Sequence, residues 1–316
     1  MTVDKTSNLW TPIRGQDREA ILLSADAGAV ETIDGLGTIR AKIARYEDVE
    51  ASFSVIDIDL APGQTIPSHS NEANERVAIC YAGTGRVWSN GEEHVVAQGA
   101  LMFWGRGTYV SLAQEGDEPF RLSVISLVPD AADADCLFPV NRSVLTVADQ
   151  EAAASNDGNG FLIEQEQEGE QYWQAAPSLG FITLKFGEKL PVDYFSASSQ
   201  TLDADAFVRL HGHAQSTEIV VCTRGRGLAV IGEVEQDFAE GDLLILPPGV
   251  THRFINDSGE PWTYSGLFTP PSVESALRET GVRKLPGAER PAAIPRNPST
   301  ERLLVEKYGF IIPSLQ

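Results

Sequence analysis

The chain has 316 residues, of which 42% are hydrophobic, 22% charged and 8% aromatic. This length favours two domains, and the composition excludes a globally disordered chain. A formal net charge of -21, from 24 Lys and Arg against 45 Asp and Glu, argues against nucleic acid or an anionic membrane surface as a partner.

The N-terminal residues and the cysteines indicate the cellular compartment of the protein. The first residues contain no apolar core of a secretory signal, and no run of about 18 apolar residues occurs in the chain. Cys80, Cys136 and Cys222 are widely spaced and form no C-x-x-C pair, so neither a disulfide framework nor a zinc ribbon is predicted. We therefore expect a cytoplasmic protein.

Short alternating segments dominate the first half and end at Gly, Pro, Asn or Asp, a pattern typical of antiparallel β-barrels. Strands are predicted over residues 53–60 and 76–81. The Asn90-Gly91 pair predicts a tight hairpin turn.

The second half repeats this layout, with little identity between the residues of the two halves. A polar, acidic connection is predicted at 149–160 and 164–170, which divides the chain into domains 1–155 and 156–316. The tail 286–316 is predicted to wrap over a barrel surface. Strands are expected at 206–210, 218–222, 228–231 and 243–246, and short helices at 273–280 and 300–308.

Three of the five histidines fall in two short segments of the second half. On a strand, His211 and His213 would point to the same face, and Glu218 would enter from the start of the next strand. The turn 247–249 would bring His252 to the same interior point. These four side chains are the predicted metal ligands.

Three imidazoles and one carboxylate suit a divalent transition metal, with one or two positions left for exchangeable ligands. Iron, nickel, manganese, cobalt and copper all fit, and the residue types do not choose among them. An isolated His-x-His pair is more often structural. Its combination with Glu218 and the surrounding glycines and prolines favours a metal site.

The same residues resemble the two motifs of the cupin superfamily. The first motif is matched by His211-x-His213, Glu218 and Gly225, and the second by Gly241, Pro247, Gly249, His252 and Asn256. The resemblance implies an all-β fold of two cupin barrels, of the double-stranded β-helix or jelly-roll type, with a few short helices.

The first half resembles a degenerate copy of these motifs. His69 and Glu75 are retained, but Asn71 replaces the second histidine and Val110 the last one. Since asparagine is a poor ligand for such metals and valine is none, we expect His69 and Glu75 to form a hydrogen-bonded pair or a vestigial, weak site.

Among two-cupin proteins, the chain most resembles quercetin 2,3-dioxygenase and its pirin/quercetinase-like relatives, including a segment like 266–271 before a short helix. The resemblance implies one bound metal, a small enolisable or aromatic substrate, and dioxygen as co-substrate. It also implies that Glu218 is both ligand and catalytic base.

Candidate substrate-binding residues follow from strand parity or from nearness to the ligands. Arg209 shares parity with His211 and is a hypothetical site for an anionic or polar part of the substrate. A salt bridge at the barrel mouth explains it equally well. The candidate apolar wall consists of Phe207, Cys222, Leu246 and Phe254.

Two alternative functions remain open from the sequence. One is a non-oxidative cupin isomerase, decarboxylase or lyase acting on a small polar acid, with the same ligands. The other is a small-molecule-binding, regulatory cupin with a structural metal. The sequence is compatible with a monomer or a homodimer.

Overall fold

The computed structural model describes residues 10–15, 18–33, 37–47, 52–71, 74–127, 160–174, 178–294 and 297–313. The chain divides into two compact units, each built from more than one segment of the sequence. The described residues of the N-terminal barrel lie within 26–166 and 188–191, and those of the C-terminal barrel within 10–25, 167–187 and 192–316. The predicted boundary near residue 155 lies outside the described residues.

In the N-terminal barrel, the described strands form one seven-stranded and one four-stranded sheet, ordered β13-β10-β7-β12-β5-β4-β3 and β6-β11-β8-β9. The strands are β3 (Ala29–Ile33), β4 (Gly37–Glu47), β5 (Ser52–Leu60), β6 (Thr65–His69), β7 (Glu75–Ala82), β8 (Thr84–Ser89), β9 (Glu92–Ala97), β10 (Leu101–Trp104), β11 (Val110–Glu115), β12 (Phe120–Leu127) and β13 (Phe161–Glu164).

The described strands of the C-terminal barrel form three sheets, ordered β1-β2-β21-β18-β23-β16-β15-β14-β24, β20-β19-β22 and β17-β25. The elements are β1 (Trp10–Gly15), β2 (Arg18–Leu23), β14 (Glu170–Trp173), β15 (Gly180–Lys185), a 3-10 turn (Gly187–Lys189), β16 (Ser196–Leu202), β17 (Gly212–His213), β18 (Thr217–Arg224), β19 (Arg226–Ile231), β20 (Val234–Ala239), β21 (Leu243–Leu246), β22 (His252–Ile255), β23 (Trp262–Thr269), α1 (Val273–Thr280), β24 (Val282–Arg283), α2 (Pro298–Tyr308) and β25 (Phe310–Ile311).

Local sequence signals explain several of these elements. Asn90 and Gly91 both have positive φ, 53° and 77°, as the predicted hairpin turn between β8 and β9 requires. Helix α2 begins where the Asn297 side chain accepts a hydrogen bond from the Ser299 amide, and ends at Gly309, which has left-handed backbone angles. Both predicted helices are confirmed.

One expected element is corrected by the structure. Residues 206–210 do not form a strand, because Asp205 has a positive φ of 60° and pairing is reduced to one bridge between Phe207 and Ile255. The acidic segment 164–170 runs from the last residue of β13 to the first residue of β14, and residues 165–169 connect the two strands.

Each barrel has its own apolar core. In the C-terminal barrel, buried rings of Phe238, Phe254, Trp262 and Tyr264 pack together with centroids 4.6 to 6.5 Å apart. Burying such rings supplies much of the stability of a barrel interior. In the part of the chain that the structure describes, no helix has the length and apolar character needed to cross a membrane.

Candidate metal centre

Backbone pairing brings the two histidine segments together at one end of the C-terminal barrel. The amides and carbonyls of His211 and His252 exchange two hydrogen bonds, of 3.0 and 2.7 Å, and the Gly249 amide donates to the carbonyl of His213 at 2.8 Å. A Cβ on Gly212 would lie 2.8 Å from the Val250 carbonyl oxygen, so glycine is required between the two histidines for this approach.

The four predicted ligands converge. The ring nitrogens of His211, His213 and His252 lie within 4.8 Å of one another. Oε2 of Glu218 lies 3.1 Å from Nε2 of His252 and 3.6 Å from Nε2 of His213. These four residues, which we call the C-terminal cup, therefore surround one point.

The outer nitrogens of the rings are held by hydrogen bonds. Nδ1 of His211 lies 3.0 Å from the Arg209 carbonyl, and Nδ1 of His252 lies 3.2 Å from the Val250 carbonyl. Because a carbonyl can only accept, both Nδ1 atoms carry the proton, and each Nε2 presents a lone pair to the cup. Nδ1 of His213 lies 3.0 Å from the Ser272 hydroxyl, which can accept in the same way.

Burial keeps the imidazoles neutral. It lowers the pKa of His213 to about 3, with a further contribution from His252. It also holds the pKa of His211 well below its ordinary value, aided by His252 and His213. Neutral imidazoles are the form that binds a metal.

Unsatisfied polar atoms in the cup show that a metal fits. Nε2 of His213, Nε2 of His252 and Oε2 of Glu218 are buried and have no hydrogen-bond partner among the described residues. Leaving three such atoms unpaired is costly, and a divalent cation would satisfy all of them. The set of three nitrogens and one carboxylate oxygen matches the donors that transition metals prefer.

A cavity of about 290 Å³ adjoins the cup within the C-terminal barrel, and His211, His213 and Glu218 form part of its wall. This volume is near the lower limit of ligand-binding sites, which span about 300–1,000 Å³. The wall is largely apolar, with contributions from Ile182, Val208, Phe254, Phe268, Leu277 and Leu304.

The predicted wall residues divide into two groups. Phe254 and Arg209 line the cavity. Cys222 and Leu246 lie instead in the buried core, where the Trp262 indole nitrogen donates to the Cys222 sulfur at 3.2 Å. Phe207 also does not line the cavity, because the chain at 206–210 is not a regular strand and its neighbour Val208 takes that place.

Arg209 forms a salt bridge with Glu301 of α2. Both side chains are largely buried and both line the cavity. This contact is the salt bridge that was expected as the alternative to substrate binding by Arg209. The carboxylate of Glu301 partly neutralises the guanidinium charge at this wall of the cavity.

Two further residues of the wall were not predicted. Phe310 of β25 packs against the rings of His211 and His213, with centroids 6.3 and 5.0 Å away. Tyr264 of β23 lines the cavity, and its buried hydroxyl has no hydrogen-bond partner in the described part of the chain. Neither residue could be predicted from the sequence. The strand that pairs with the tail was not predicted, and an aromatic residue on a core strand is usually a packing residue.

Strand register identifies the residues of the N-terminal barrel that correspond to the C-terminal cup. Glu218 pairs with Leu246, the last residue of β21, and with Phe268, the second-last residue of β23. In the N-terminal barrel, Trp104 is the last residue of β10 and Ser126 is the second-last residue of β12. Both of them pair with Arg76. Arg76, not Glu75, therefore occupies the position of the carboxylate.

The remaining positions follow the predicted correspondence. Val110 pairs with His69 as His252 pairs with His211. The four residues His69, Asn71, Arg76 and Val110 form what we call the N-terminal cup. A guanidinium in place of a carboxylate is incompatible with a cation, which corrects the expectation of a vestigial metal site at His69 and Glu75.

The expected pair of His69 and Glu75 is not seen among the described contacts. Nδ1 of His69 lies 3.1 Å from the Pro67 carbonyl, and a Glu75 oxygen lies 3.0 Å from the Arg106 guanidinium. Glu75 is one residue removed from Arg76, so on a strand its side chain points to the opposite face.

Comparison with known families matches both barrels. Residues 57–126 match the Cupin domain family, and residues 194–308 match the family described as AraC-like ligand binding domain. Among curated proteins, the MmsAB operon regulatory protein of Pseudomonas aeruginosa is 33% identical over 86 residues. That match covers 24% of this chain and 28% of the relative, so the chain spans less than a third of that relative's length.

Solved structures share the two-barrel fold. A variant of Bacillus subtilis oxalate decarboxylase has a TM-score of 0.55 at 14% identity, covering 78% of this chain and 76% of that chain. The formate complex of Lactobacillus farciminis oxalate decarboxylase has 0.56 at 17%, covering 79% and 86%. Procruciferin, an 11S globulin of Brassica napus, has 0.57 at 10%, covering 83% and 86%. The predicted all-β, two-barrel cupin fold is confirmed.

Proposed function

We propose that this member of the cupin superfamily is a metal-dependent dioxygenase that acts on a small enolisable substrate at the C-terminal cup. The observation that carries the proposal is the convergence of three histidine nitrogens and one glutamate oxygen on a single point beside a largely apolar cavity. Iron, nickel, manganese, cobalt and copper remain the candidate metals. Bacillus subtilis oxalate decarboxylase, whose fold is similar, has Mn(II) centres.

A bound metal would supply Lewis acidity towards an enol oxygen and open positions for substrate and dioxygen. The ligands would be His211, His213, His252 and Glu218. While one carboxylate oxygen of Glu218 binds the metal, the carboxylate would also be placed to accept the enol proton. The apolar wall would exclude water from the reacting atoms.

Tyr264 would add a hydrogen-bond donor. Burial and the nearby Glu218 raise the pKa of the phenol well above its ordinary value, so it stays protonated at neutral pH. Its hydroxyl has no partner in the described protein and its side chain lines the cavity. It can therefore donate to a carbonyl or enolate oxygen of a substrate.

Dioxygen consumption is favoured by the motif resemblance to quercetin 2,3-dioxygenase, including residues 266–271 before α1. The cavity volume favours compact flavonols, hydroxyketones or 1,3-dicarbonyl compounds over long substrates. A non-oxidative enzyme would use the same ligands. The two differ in whether substrate turns over without air.

The test is oxygen uptake by metal-loaded protein across such a panel, with product formation followed under air and under argon. We expect uptake that matches substrate loss and stops under argon. It should be abolished in His252→Gln and retained in His69→Gln, the matched change in the other barrel. Equal turnover under argon would instead establish an isomerase, decarboxylase or lyase.

A second candidate is favoured by the match of residues 194–308 to AraC-like ligand binding domains. On this alternative the chain binds a small molecule and carries a structural metal. Calorimetry with the same compounds and Glu218→Gln separates the two. A regulator would bind its ligand unchanged without turning it over, whereas the proposed enzyme loses turnover and keeps at most weakened binding.

A further inference from the structure

Among the described residues, Arg76 of the N-terminal cup has no counter-ion. Arg76 lies on β7 between Trp104 of β10 and Ser126 of β12. The residue is partly buried, and its Nε is fully buried with no hydrogen-bond partner in the part of the chain that the structure describes. No described carboxylate lies within salt-bridge distance of it, since the adjacent Glu75 pairs with Arg106. A cation with a buried, unpaired donor attracts an anion.

A second unsatisfied donor lines the same space. Trp104 is only 3% exposed, and its indole Nε1 is buried with no hydrogen-bond partner among the residues that the structure describes. Arg76 and Trp104 both line a cavity of about 10 Å³, together with His69, Asn71 and Thr108. This volume is about that needed for one water-sized occupant.

The charge and the donors identify the class of occupant. A water molecule could accept from one or two N–H groups but would leave the guanidinium charge uncompensated. Burial lowers the pKa of Arg76 only to about 10, so the side chain remains a cation at neutral pH. A monatomic anion accepts from several donors at once and neutralises the charge.

We propose that the N-terminal cup binds one small monovalent anion of chloride size, held by the Arg76 guanidinium and the Trp104 indole N–H. The two barrels thus hold ions of opposite charge at corresponding positions. The proposal does not depend on the reaction of the C-terminal cup.

The direct test uses crystals of the metal-loaded full chain soaked in sodium bromide, with anomalous scattering locating the ion. We expect a bromide peak between Arg76 and Trp104, and its loss in Arg76→Gln. The matched control is Arg121→Gln on β12, which removes an exposed pair with Asp59 and should keep the peak. Bromide confined to other places, or retained in the cup of Arg76→Gln, would overturn the proposal.

A solution measurement covers the case in which Arg76→Gln fails to fold. Thermal unfolding of the wild-type holoprotein is compared in sodium chloride and in sodium gluconate at equal ionic strength. A saturating site should raise the midpoint by roughly 2–4 °C in chloride, because only the folded state binds. Equal midpoints, together with an empty cup in the bromide soak, would disprove binding.

A separate variant, Glu72→Gln, tests whether a carboxylate of the chain itself is the counter-ion of Arg76. Glu72 is chosen because it follows Asn71 in the sequence. If bromide entered the cup only in this variant, the counter-ion would be internal and the proposal would be wrong. Bromide in the wild-type cup and in Glu72→Gln supports the external anion.

Discussion

The two cups have the same backbone register and opposite chemistry. In the C-terminal cup, His211 and His252 bond to each other through their backbones, and Glu218 enters from β18. In the N-terminal cup, His69 pairs with Val110, and Arg76 enters from β7. The fold therefore determines where the side chains meet. The carboxylate in the C-terminal cup and the guanidinium in the N-terminal cup determine which sign of charge each one attracts.

The largest expected difference between the cups is in metal content. His252→Gln should reduce bound metal from about one ion per chain to near zero, because it removes a nitrogen donor from the centre of the site. His69→Gln should leave metal content unchanged. Elemental analysis of both purified variants checks this, and equal loss in both would contradict the assignment of a single site.

Restoring the second site should have the next largest effect. Combining Asn71→His, Arg76→Glu and Val110→His gives the N-terminal cup the ligand types of the other one. We expect metal content to rise from about one to about two ions per chain, and any bromide binding to disappear. A variant with Arg76→Glu omitted is the control and should hold one metal; an unchanged content in the full variant would show that the register correspondence is wrong.

The pH dependence of metal-free protein should show the burial of the C-terminal imidazoles. The folded-state pKa of His213 is lowered to about 3. Between the ordinary pKa near 6.5 and about 3, the unfolded chain binds a proton that the folded one does not. His213 therefore removes about 1.4 kcal/mol of stability for each unit that pH falls in this window.

Denaturant unfolding from pH 7 to pH 4 measures that slope. The variant His213→Gln should have a shallower dependence, with His94→Gln, which removes a partly exposed imidazole, as the comparison in the other barrel. Identical slopes for wild type and His213→Gln would mean that this imidazole is not buried in the neutral form.

A smaller effect is expected at Tyr264. Its hydroxyl is unpartnered in the protein, so Tyr264→Phe should leave the free energy of unfolding unchanged or slightly raised. If the hydroxyl donates to the substrate, kcat/KM should fall by roughly tenfold, the typical cost of about one hydrogen bond. Unaltered kinetics would remove Tyr264 from the proposed mechanism.

The smallest effect is expected at Arg209, because its guanidinium already pairs with Glu301. Arg209→Met and Glu301→Gln should each change substrate affinity by less than about threefold, and the double variant should resemble either one. Calorimetric binding supplies the affinities. A large loss in Arg209→Met alone would restore a direct role for Arg209 with substrate.

The sequence predicted most of what strong local signals determine. The Asn90-Gly91 turn, helix α1, and the ligands His211, His213 and Glu218 lie where their motifs indicate. It was less successful where position depends on pairing between distant strands. Arg76 was overlooked in favour of Glu75, since spacing along the chain differs by one residue from spacing in the sheet.

The sequence predicted only part of the cavity wall, since Phe254 and Arg209 line it and Phe207 does not. Parity placed Phe207 at the cavity, but parity holds only along a regular strand, and the positive φ of Asp205 interrupts one there. Phe310 reaches the histidines because β25 pairs with β17, about 100 residues earlier in the chain, and no local pattern encodes such a contact.

The pairing of β2 with β21 has a consequence for folding. The two strands pair through Ile21 and Ile245, which lie far apart in the sequence. Such a distant contact is slow to form, and until it forms one edge of β21 has no partner strand. Deleting residues 10–25 should therefore leave β21 as an exposed edge of the C-terminal barrel, prone to aggregation.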